Sequence, residues 1–314
     1  MHAFISPNAR NMDMRITFLG TSGSMPSKDR GASGVVVRTG RELLMFDCGE
    51  GTQRQMVKAG IGFQRAMRIF ITHLHGDHVL GLPGLLQSMS LLRRENELHV
   101  YGPAGLVKFV QAFSESLGGP LFPVILYEVV EPGVIHEEKG NRVEAVKAVH
   151  RTNSWSYGLF EPPRPGRFAP KRARRLGLPE GPSWNRLQHG EDVEVDGVIY
   201  RPEMVCGPPR RGRSIVYSGD TSPNEALIDL ARGADVLIHE STFLDELSDR
   251  AEEDGHTTAA QAAEVAKKAG VGRLVLTHIS SRYPEPGVVL AEAKKVFDNV
   301  VVASDLMEIE VPLK

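Results

Sequence analysis

Met67-Arg68-Ile69-Phe70-Ile71-Thr72-His73-Leu74-His75-Gly76-Asp77-His78 is the stretch that decides the fold. An apolar, strand-like run leads directly into three imidazoles and a carboxylate crowded within six residues. Imidazole nitrogen and carboxylate oxygen are donors that a borderline cation such as zinc accepts. Without a cation, these rings would repel one another whenever they took up protons. A shared metal removes that cost and accounts for the spacing. The competing reading, a polar turn that happens to be histidine-rich, weakens because further candidate ligands also stand at the ends of apolar runs. His150 closes Val143–Val149, Asp220 follows Ile215–Gly219, and His278 follows Leu274–Thr277. A lone histidine at a strand end is usually structural. Strand ends gather on one rim of a sheet, however, so these ends converge with the cluster.

The donors divide into two sets. His73, His75 and His150 supply one nitrogen triad, and Asp77, His78 and His278 a second. Asp220 can bridge, with one oxygen for each cation. Seven side chains then hold two cations roughly 3.5–4 Å apart, each keeping a position for a shared water. Zinc lowers the pKa of such a water from about 15.7 to roughly 7. An open position marks a catalytic site rather than a structural one. Two zinc ions per subunit are expected, with manganese or iron also compatible with these ligands.

The rest of the chain suits a globular enzyme. Its 314 residues are 41% hydrophobic and 24% charged, which is ordinary for a soluble protein. No apolar run approaches the roughly 20 residues needed to cross a bilayer, so no membrane partner is expected. Met1 to Asp13 lacks the pattern of a signal peptide and is read as a short disordered extension before one domain, 14–314. Cys48 and Cys206 are too few for a disulfide scaffold, and a reducing cytoplasm is the expected location. The net charge of −2 leaves nucleic-acid binding to local charge.

Strand-like runs at 15–19, 35–38, 43–46 and 67–71 come early, with a helix expected over 52–59. Helices over 85–93 and 106–117 flank a strand at 98–101, and strands follow at 125–130, 143–149 and 155–160. Later, strands at 215–218, 236–239, 274–277 and 307–311 alternate with helices over 224–231, 258–269 and 288–297. Two facing sheets with helices outside satisfy this order. One segment, 161–190, is proline-rich, lacks strand alternation, and reads as a flexible excursion from the core. It carries Arg164, Arg167, Lys171, Arg172, Arg174, Arg175 and Arg186 against Glu161 and Glu180.

The pattern His73-x-His75-x-Asp77-His78 with later His150, Asp220 and His278 resembles the metallo-β-lactamase superfamily. Four further stretches are similar to the ribonuclease Z family within it: Asp47-Cys48-Gly49-Glu50-Gly51-Thr52-Gln53, His239-Glu240-Ser241-Thr242-Phe243, His256-Thr257-Thr258, and the excursion from Pro165-Gly166-Arg167-Phe168 to Gly181-Pro182. The match covers nearly the whole chain after residue 14. It implies an α/β fold, the αββα sandwich, with a binuclear site at the sheet rim and a protruding basic arm. It also implies a zinc-dependent endoribonuclease that removes the 3′ trailer of precursor tRNA, leaving a tRNA 3′-hydroxyl and a 5′-phosphate on the trailer. A homodimer is implied too, each arm serving the partner's active site; no DNA partner is expected. The family's early loop commonly reads Pro-x-Lys-x-Arg-Asn, whereas here Pro26-Ser27-Lys28-Asp29-Arg30-Gly31 ends in glycine.

On this resemblance, Asp77 both ligates and holds the attacking water. His256 is the candidate acid for the leaving ribose oxygen, and Glu240 favours its imidazolium form. The bland readings are a buried Glu240–arginine pair and a His256 that merely neighbours a helix cap at Thr257 or Thr258. Asp47 is expected to orient a ligating histidine through its free ring nitrogen. His239 is read as structural, Cys48 as a small buried residue, and His2, His99, His136 and His189 as background. The candidate substrate contacts are Lys28 and Arg30, in the loop that the family links to sensing the CCA end, and Arg164, Arg167, Lys171, Arg172, Arg174 and Arg175 of the arm, gripping phosphates. Phe168 and Trp184 are expected to anchor the arm's own fold rather than stack on RNA. The alternative activity is a small-molecule phosphodiesterase or arylsulfatase of the same superfamily.

Overall fold

The structure, a computed structural model, describes residues 14–40 and 42–313. The extension expected over 1–13 lies outside the described residues. Two seven-stranded sheets face each other. The first runs Glu308–Val311, Met14–Gly20, Gly34–Thr39, Glu42–Phe46, Met67–Phe70, Leu98–Pro103, Val124–Val129 across its width. The second runs Val300–Val302, Leu274–Thr277, Val236–Glu240, Ser214–Tyr217, Trp155–Phe160, Asn141–Lys147, Gly133–Glu138. Each sheet mixes parallel central pairs with antiparallel hairpins.

Side-chain alternation builds the layers. Ile16, Phe18, Phe46 and Phe70 of the first sheet meet Tyr157, Leu159, Tyr217 and Ile238 of the second in one central core. The intervening residues face outward. Met45, Ile69 and Val100 pack under Leu82, Leu85 and Met89 of helix Gly81–Leu91 and Val110 of helix Leu106–Leu117. Val216, Leu237 and Leu276 pack under Ala262, Ala263 and Ala266 of helix Ala259–Ala269. The result is the expected αββα sandwich. The Tyr157 hydroxyl donates to the Ile71 carbonyl at 2.7 Å and ties the two sheets together just below the metal-ligand turn.

Three differences from the sequence reading have physical causes. Strands Gly133–Glu138 and Val300–Val302 were not expected: the first is a half-exposed edge strand without clean alternation, the second is three residues long. The chain expected to start a helix at Leu85 is helical from Gly76, in two pieces (Gly76–Val79 and Gly81–Leu91). The excursion expected over 161–190 instead leaves at Phe160 and returns at Ser214. It has regular structure: helices Pro170–Arg175, Pro182–Gln188 and Pro202–Val205, and a hairpin of Val193–Val195 with Val198–Tyr200. Ala173, Leu178, Leu187, Val193, Tyr200 and Val205 form its own small core. No element in this unit exceeds seven residues, too short for periodicity to register.

Among the described residues, no helix is long and apolar enough to cross a membrane.

Candidate metal centre

The candidate ligands leave the ends of strands at one rim of both sheets. His73 follows strand Met67–Phe70, Asp220 follows Ser214–Tyr217, and His278 follows Leu274–Thr277. His150 arrives just before strand Trp155–Phe160, steadied by the bridge between Val149 and Ser222. The turn bearing His75, Asp77 and His78 is clamped from below by residues 47–49. Cys48 N–H donates to the His78 carbonyl at 2.8 Å, and Gly81 N–H to the Cys48 carbonyl at 2.9 Å. Gly49 and Gly81 make this approach possible: a Cβ on Gly49 would lie 2.2 Å from the Asp77 carbonyl oxygen, and one on Gly81 1.9 Å from that of Gly49. Asp47 (φ 59°) and His278 (φ 56°) hold left-handed backbone at the site. Non-glycine residues adopt it at a cost of order 1–3 kcal/mol, which the surrounding structure must impose.

The donor atoms converge in interlocking groups, His73–His75–His150–Asp220, Asp77–His78–His278 and Asp220–His256–His278, each with its ligand atoms within 4.8 Å of one another. His73 Nε2 lies 2.9 Å from His75 Nδ1, which lies 3.3 Å from His150 Nε2. His78 Nε2 lies 3.2 Å from His278 Nε2, and Asp77 Oδ2 lies 3.3 Å from the latter. Asp220 stands between the sets, with Oδ2 3.7 Å from His73 Nε2 and 3.3 Å from His78 Nε2, and Oδ1 3.4 Å from His278 Nε2. The structure thus brings all seven expected donors together, with Asp220 between the two sets. His256, expected only as an acid, offers a further nitrogen to one group.

Hydrogen bonding decides what these nitrogens carry. His150 Nδ1 donates to the Gly255 carbonyl at 2.7 Å, and His78 Nδ1 to Asp47 Oδ2 at 2.7 Å. The Thr72 hydroxyl donates to Asp47, so it accepts from His73 Nδ1 at 3.0 Å. The Thr242 hydroxyl donates to Glu240 Oε2 at 2.6 Å, so it accepts from His278 Nδ1 at 2.8 Å. Four rings are therefore anchored through Nδ1–H and turn Nε2 inward. Nitrogens facing one another this closely are satisfied by a shared proton or by a shared cation. Asp220 Oδ1 is buried with no hydrogen-bond partner, as a carboxylate oxygen awaiting a cation would be. A divalent metal fits this donor set.

Burial and neighbouring charges act differently on these groups. Burial, reinforced by His78, pushes His73 well below the usual histidine range and keeps it neutral. Burial and His150 also lower His75. Burial works against charge on His78 too, but Asp220 and Asp47 hold it well above that range. Burial opposes ionisation of Asp220, yet His278 and His78 hold it well below the usual carboxylate range.

Beside the cluster, His256 Nδ1 donates to Glu240 Oε1 at 2.8 Å. Glu240 is buried and also accepts from Thr221 N–H at 2.9 Å. Burial disfavours charge on His256, but Glu240 outweighs it and raises the pKa to about 9. Glu240 therefore pairs with His256 rather than with an arginine. Thr258, not His256, caps the following helix, in a capping box with Gln261. His239 is buried, with Nδ1 bound to the Glu240 carbonyl. Cys48 is fully buried. His99 and His136 lie in a stack with Tyr127 and Tyr101, and His189 is bonded to the Asn185 carbonyl; none of them joins the cluster. Sequence reasoning missed Thr242 and Tyr217. The first links Glu240 to His278, and the second donates to Asp47 Oδ2 at 2.8 Å. An isolated hydroxyl in a sequence carries no signal for such a bond.

The candidate substrate contacts separate. Lys28, Arg167, Lys171, Arg172, Arg174 and Arg175 are exposed, while Arg164 is half-buried. Arg174 is partly engaged by Glu180 at 2.6 Å. Arg30 has a structural tie: its Nη1 is bound to the Thr21 hydroxyl and the Ala303 carbonyl, both at 2.7 Å. That guanidinium braces the loop, with Gly31 N–H held by Asp305 at 2.7 Å. Phe168 and Trp184 pack on each other, ring centroids 4.9 Å apart.

Comparison with known proteins gives consistent relatives. Residues 14–161 match a family model described as anti-Pycsar protein Apyc1, and residues 204–279 match a β-lactamase superfamily domain. The chain is 49% identical to a ribonuclease Z of Methanosarcina acetivorans over 96% of this chain and 99% of that protein. It is 50% identical to a ribonuclease Z of Methanosarcina mazei, with the same coverage. Among solved structures, the short form of human tRNase Z superposes with a TM-score of 0.71 at 32% identity, covering 96% of this chain and all of that one.

Proposed function

The chain belongs to the ribonuclease Z family, and on that premise we propose that it is a metal-dependent endoribonuclease that removes the 3′ trailer from precursor tRNA. The observation that carries this reading is the convergence of His73, His75, Asp77, His78, His150, Asp220 and His278 beside the buried Glu240–His256 pair. A divalent metal, zinc by the preference of the donors and manganese or iron as substitutes, supplies water activation and neutralises phosphate charge when bound.

The chain's own residues supply the rest. Asp77 Oδ2 accepts the Ser24 N–H at 2.9 Å, which holds that carboxylate facing the cluster, placed to orient a water and accept its proton. Glu240 keeps His256 protonated at neutral pH, so His256 can pass a proton to the departing ribose 3′-oxygen. Proton transfer in this sense leaves a 3′-hydroxyl on the tRNA and a 5′-phosphate on the trailer.

Topology supports a division of labour between subunits. In the pairing of Trp155–Phe160 with Ser214–Tyr217, the metal centre lies beyond the Trp155 and Tyr217 ends. The arm leaves from Phe160 and Ser214, at the opposite end of those strands. An arm rooted there starts from the end of the sheet opposite its own centre, and in a homodimer it would present its basic surface to RNA bound at the partner's centre. Cys48 and Cys206 are both free thiols, in keeping with a reducing cytoplasm.

The test is cleavage of a trailer-bearing tRNA transcript by metal-reconstituted protein, with products sized at single-nucleotide resolution. A single cut at the end of the acceptor stem, abolished in Asp77→Ala without loss of RNA binding, is the expected result. Hydrolysis of bis(p-nitrophenyl) phosphate with no cut in the RNA would return the protein to the small-molecule phosphodiesterases.

A further inference from the structure

Residues 21–31 form a loop between strands Met14–Gly20 and Gly34–Thr39 that reaches the rim of the metal centre. Its tip is tied to two of the candidate ligands. Ser24 N–H donates to Asp77 Oδ2 at 2.9 Å, from left-handed backbone (φ 58°). Gly23 lies against His278: a Cβ there would stand 2.9 Å from its Nδ1 and 2.9 Å from its carbonyl oxygen. Ser22–Gly23 also pairs in parallel with Ile279–Ser280, the two residues after that histidine. Two turns stiffen the loop. The Ser22 hydroxyl donates to the Met25 carbonyl at 2.6 Å, and Ser27 N–H donates to the Arg30 carbonyl at 2.8 Å. Residues 24–29 are exposed, so the position of the loop is set at its tip and at its base.

One side chain from the far end of the sequence cinches that base. Asp305 Oδ1 accepts the Thr21 hydroxyl at 2.8 Å, and Oδ2 accepts Gly31 N–H at 2.7 Å. A single carboxylate therefore joins the first residue of the loop to the last. Gln55 Nε2, on helix Thr52–Lys58, donates to the same Oδ2 at 2.8 Å and to the Leu19 carbonyl at 2.7 Å, which fixes the carboxylate against the first strand. Arg30 completes the ring through its bonds to the Thr21 hydroxyl and the Ala303 carbonyl. Glycine at 31 suits this closure, since a Cβ there would already lie 3.3 Å from Asp305 Oδ2. Asp305 itself is not among the groups that converge on the metal centre.

We propose that Asp305 is a positioning residue, which by joining Thr21 to Gly31 holds the loop where the Ser24 amide can fix the Asp77 carboxylate. The assignment rests on the reading that Asp77 orients the attacking water. With the base open, Ser24 withdraws, the carboxylate turns about its own side-chain bonds, and the water it holds loses its aim. A misplacement of about 1 Å transmitted from outside the reacting groups costs on the order of 100-fold.

Hydrogen exchange and steady-state kinetics on the metal-loaded protein test this together, in Asp305→Ala and in Thr21→Val, which keeps the shape of residue 21 and removes one of the two links. Amides over 22–31 are expected to exchange at least about tenfold faster, the loss of one charge-assisted contact, while strand Met67–Phe70 keeps its protection. With that change, kcat should fall about 10–100-fold for bis(p-nitrophenyl) phosphate and for precursor tRNA alike. Asp305→Asn, which keeps one acceptor oxygen, should recover part of the loss. Unchanged exchange over 22–31, or faster exchange with kcat preserved, overturns the proposal. Faster exchange throughout both sheets overturns it too, because Asp305 would then support the fold alone. So does a higher KM for precursor tRNA at unchanged kcat, because the loop would then only touch RNA. The bis(p-nitrophenyl) phosphate measurement involves no RNA, so a wild-type protein that leaves precursor tRNA uncut would refute the proposed function without deciding the role of Asp305.

Discussion

The Nδ1 of His78 lies 2.7 Å from Oδ2 of Asp47, and both side chains are fully buried. The same carboxylate receives the Thr72 amide at 2.7 Å, the Thr72 hydroxyl at 2.9 Å and the Tyr217 hydroxyl at 2.8 Å. Four donors on one carboxylate fix the His78 ring and aim its Nε2 at the cluster. Asp47→Asn keeps the size but turns an amide N–H toward one of those donors. Metal affinity, measured by competition with a chromophoric chelator, should fall about 10–100-fold, the usual loss when a partner of a ligating histidine is replaced. Unchanged affinity would mean that His78 is held by packing alone.

His256 and Glu240 make a second prediction, one that depends on the leaving group. A ribose 3′-oxygen needs a proton as it departs, whereas p-nitrophenolate leaves without one. His256→Ala should therefore slow precursor cleavage by about 10²–10⁴-fold and slow bis(p-nitrophenyl) phosphate hydrolysis far less. Glu240→Gln should act in the same direction. Equal losses on both substrates would instead assign His256 to the metal groups, where its nitrogen also stands.

The site was more legible in the sequence than the arm was, for a physical reason. His73, Asp220 and His278 each follow a buried strand, so apolar runs ending in them mark one rim from the residue order alone. The role of Asp47 follows from the same logic, because a carboxylate at a strand end beside a histidine turn has few other uses, but its partner His78 is known only from the structure. Thr242 and Tyr217 were hidden, since nothing local distinguishes a hydroxyl that bridges two charged groups from one that meets water. The bracing role of Arg30 was hidden, since its bond to the Ala303 carbonyl depends on chain 273 residues away. The arm's core is assembled from single residues such as Leu178, Leu187 and Val205 on elements too short to show a period.

Cys48 offers a pH-dependent test. Burial pushes its thiol up to about 12, although a bond with Thr52 works the other way. An unfolded thiol titrates near about 8.5. Between about pH 8.5 and 12 the unfolded chain gives up a proton that the folded chain keeps, so this group makes stability fall as pH rises through that window. Urea melts of the wild type at pH 8 and pH 10 should show that loss, and Cys48→Ala should show a smaller one. Iodoacetamide at pH 8.5 should leave the Cys48 peptide unlabelled in the native protein and label it after denaturation.

The arm can be removed without disturbing the sheet. Phe160 and Ser214 are directly paired in neighbouring antiparallel strands, so a short turn can join them in place of residues 161–213. The arm's core residues belong to a cluster separate from the central one. Arg213 is the body's main loss: it bonds the Val311 carbonyl at 3.2 Å, and a melting temperature a few degrees lower is expected from that alone. If the arm grips RNA, the Michaelis constant for precursor tRNA should rise at least about tenfold and become less sensitive to salt, because fewer phosphates are neutralised. Hydrolysis of bis(p-nitrophenyl) phosphate should persist, since all seven metal ligands lie outside the deleted segment. Parallel loss on both substrates would show that the arm supports the metal centre itself, and the division of labour between site and clamp would have to be abandoned.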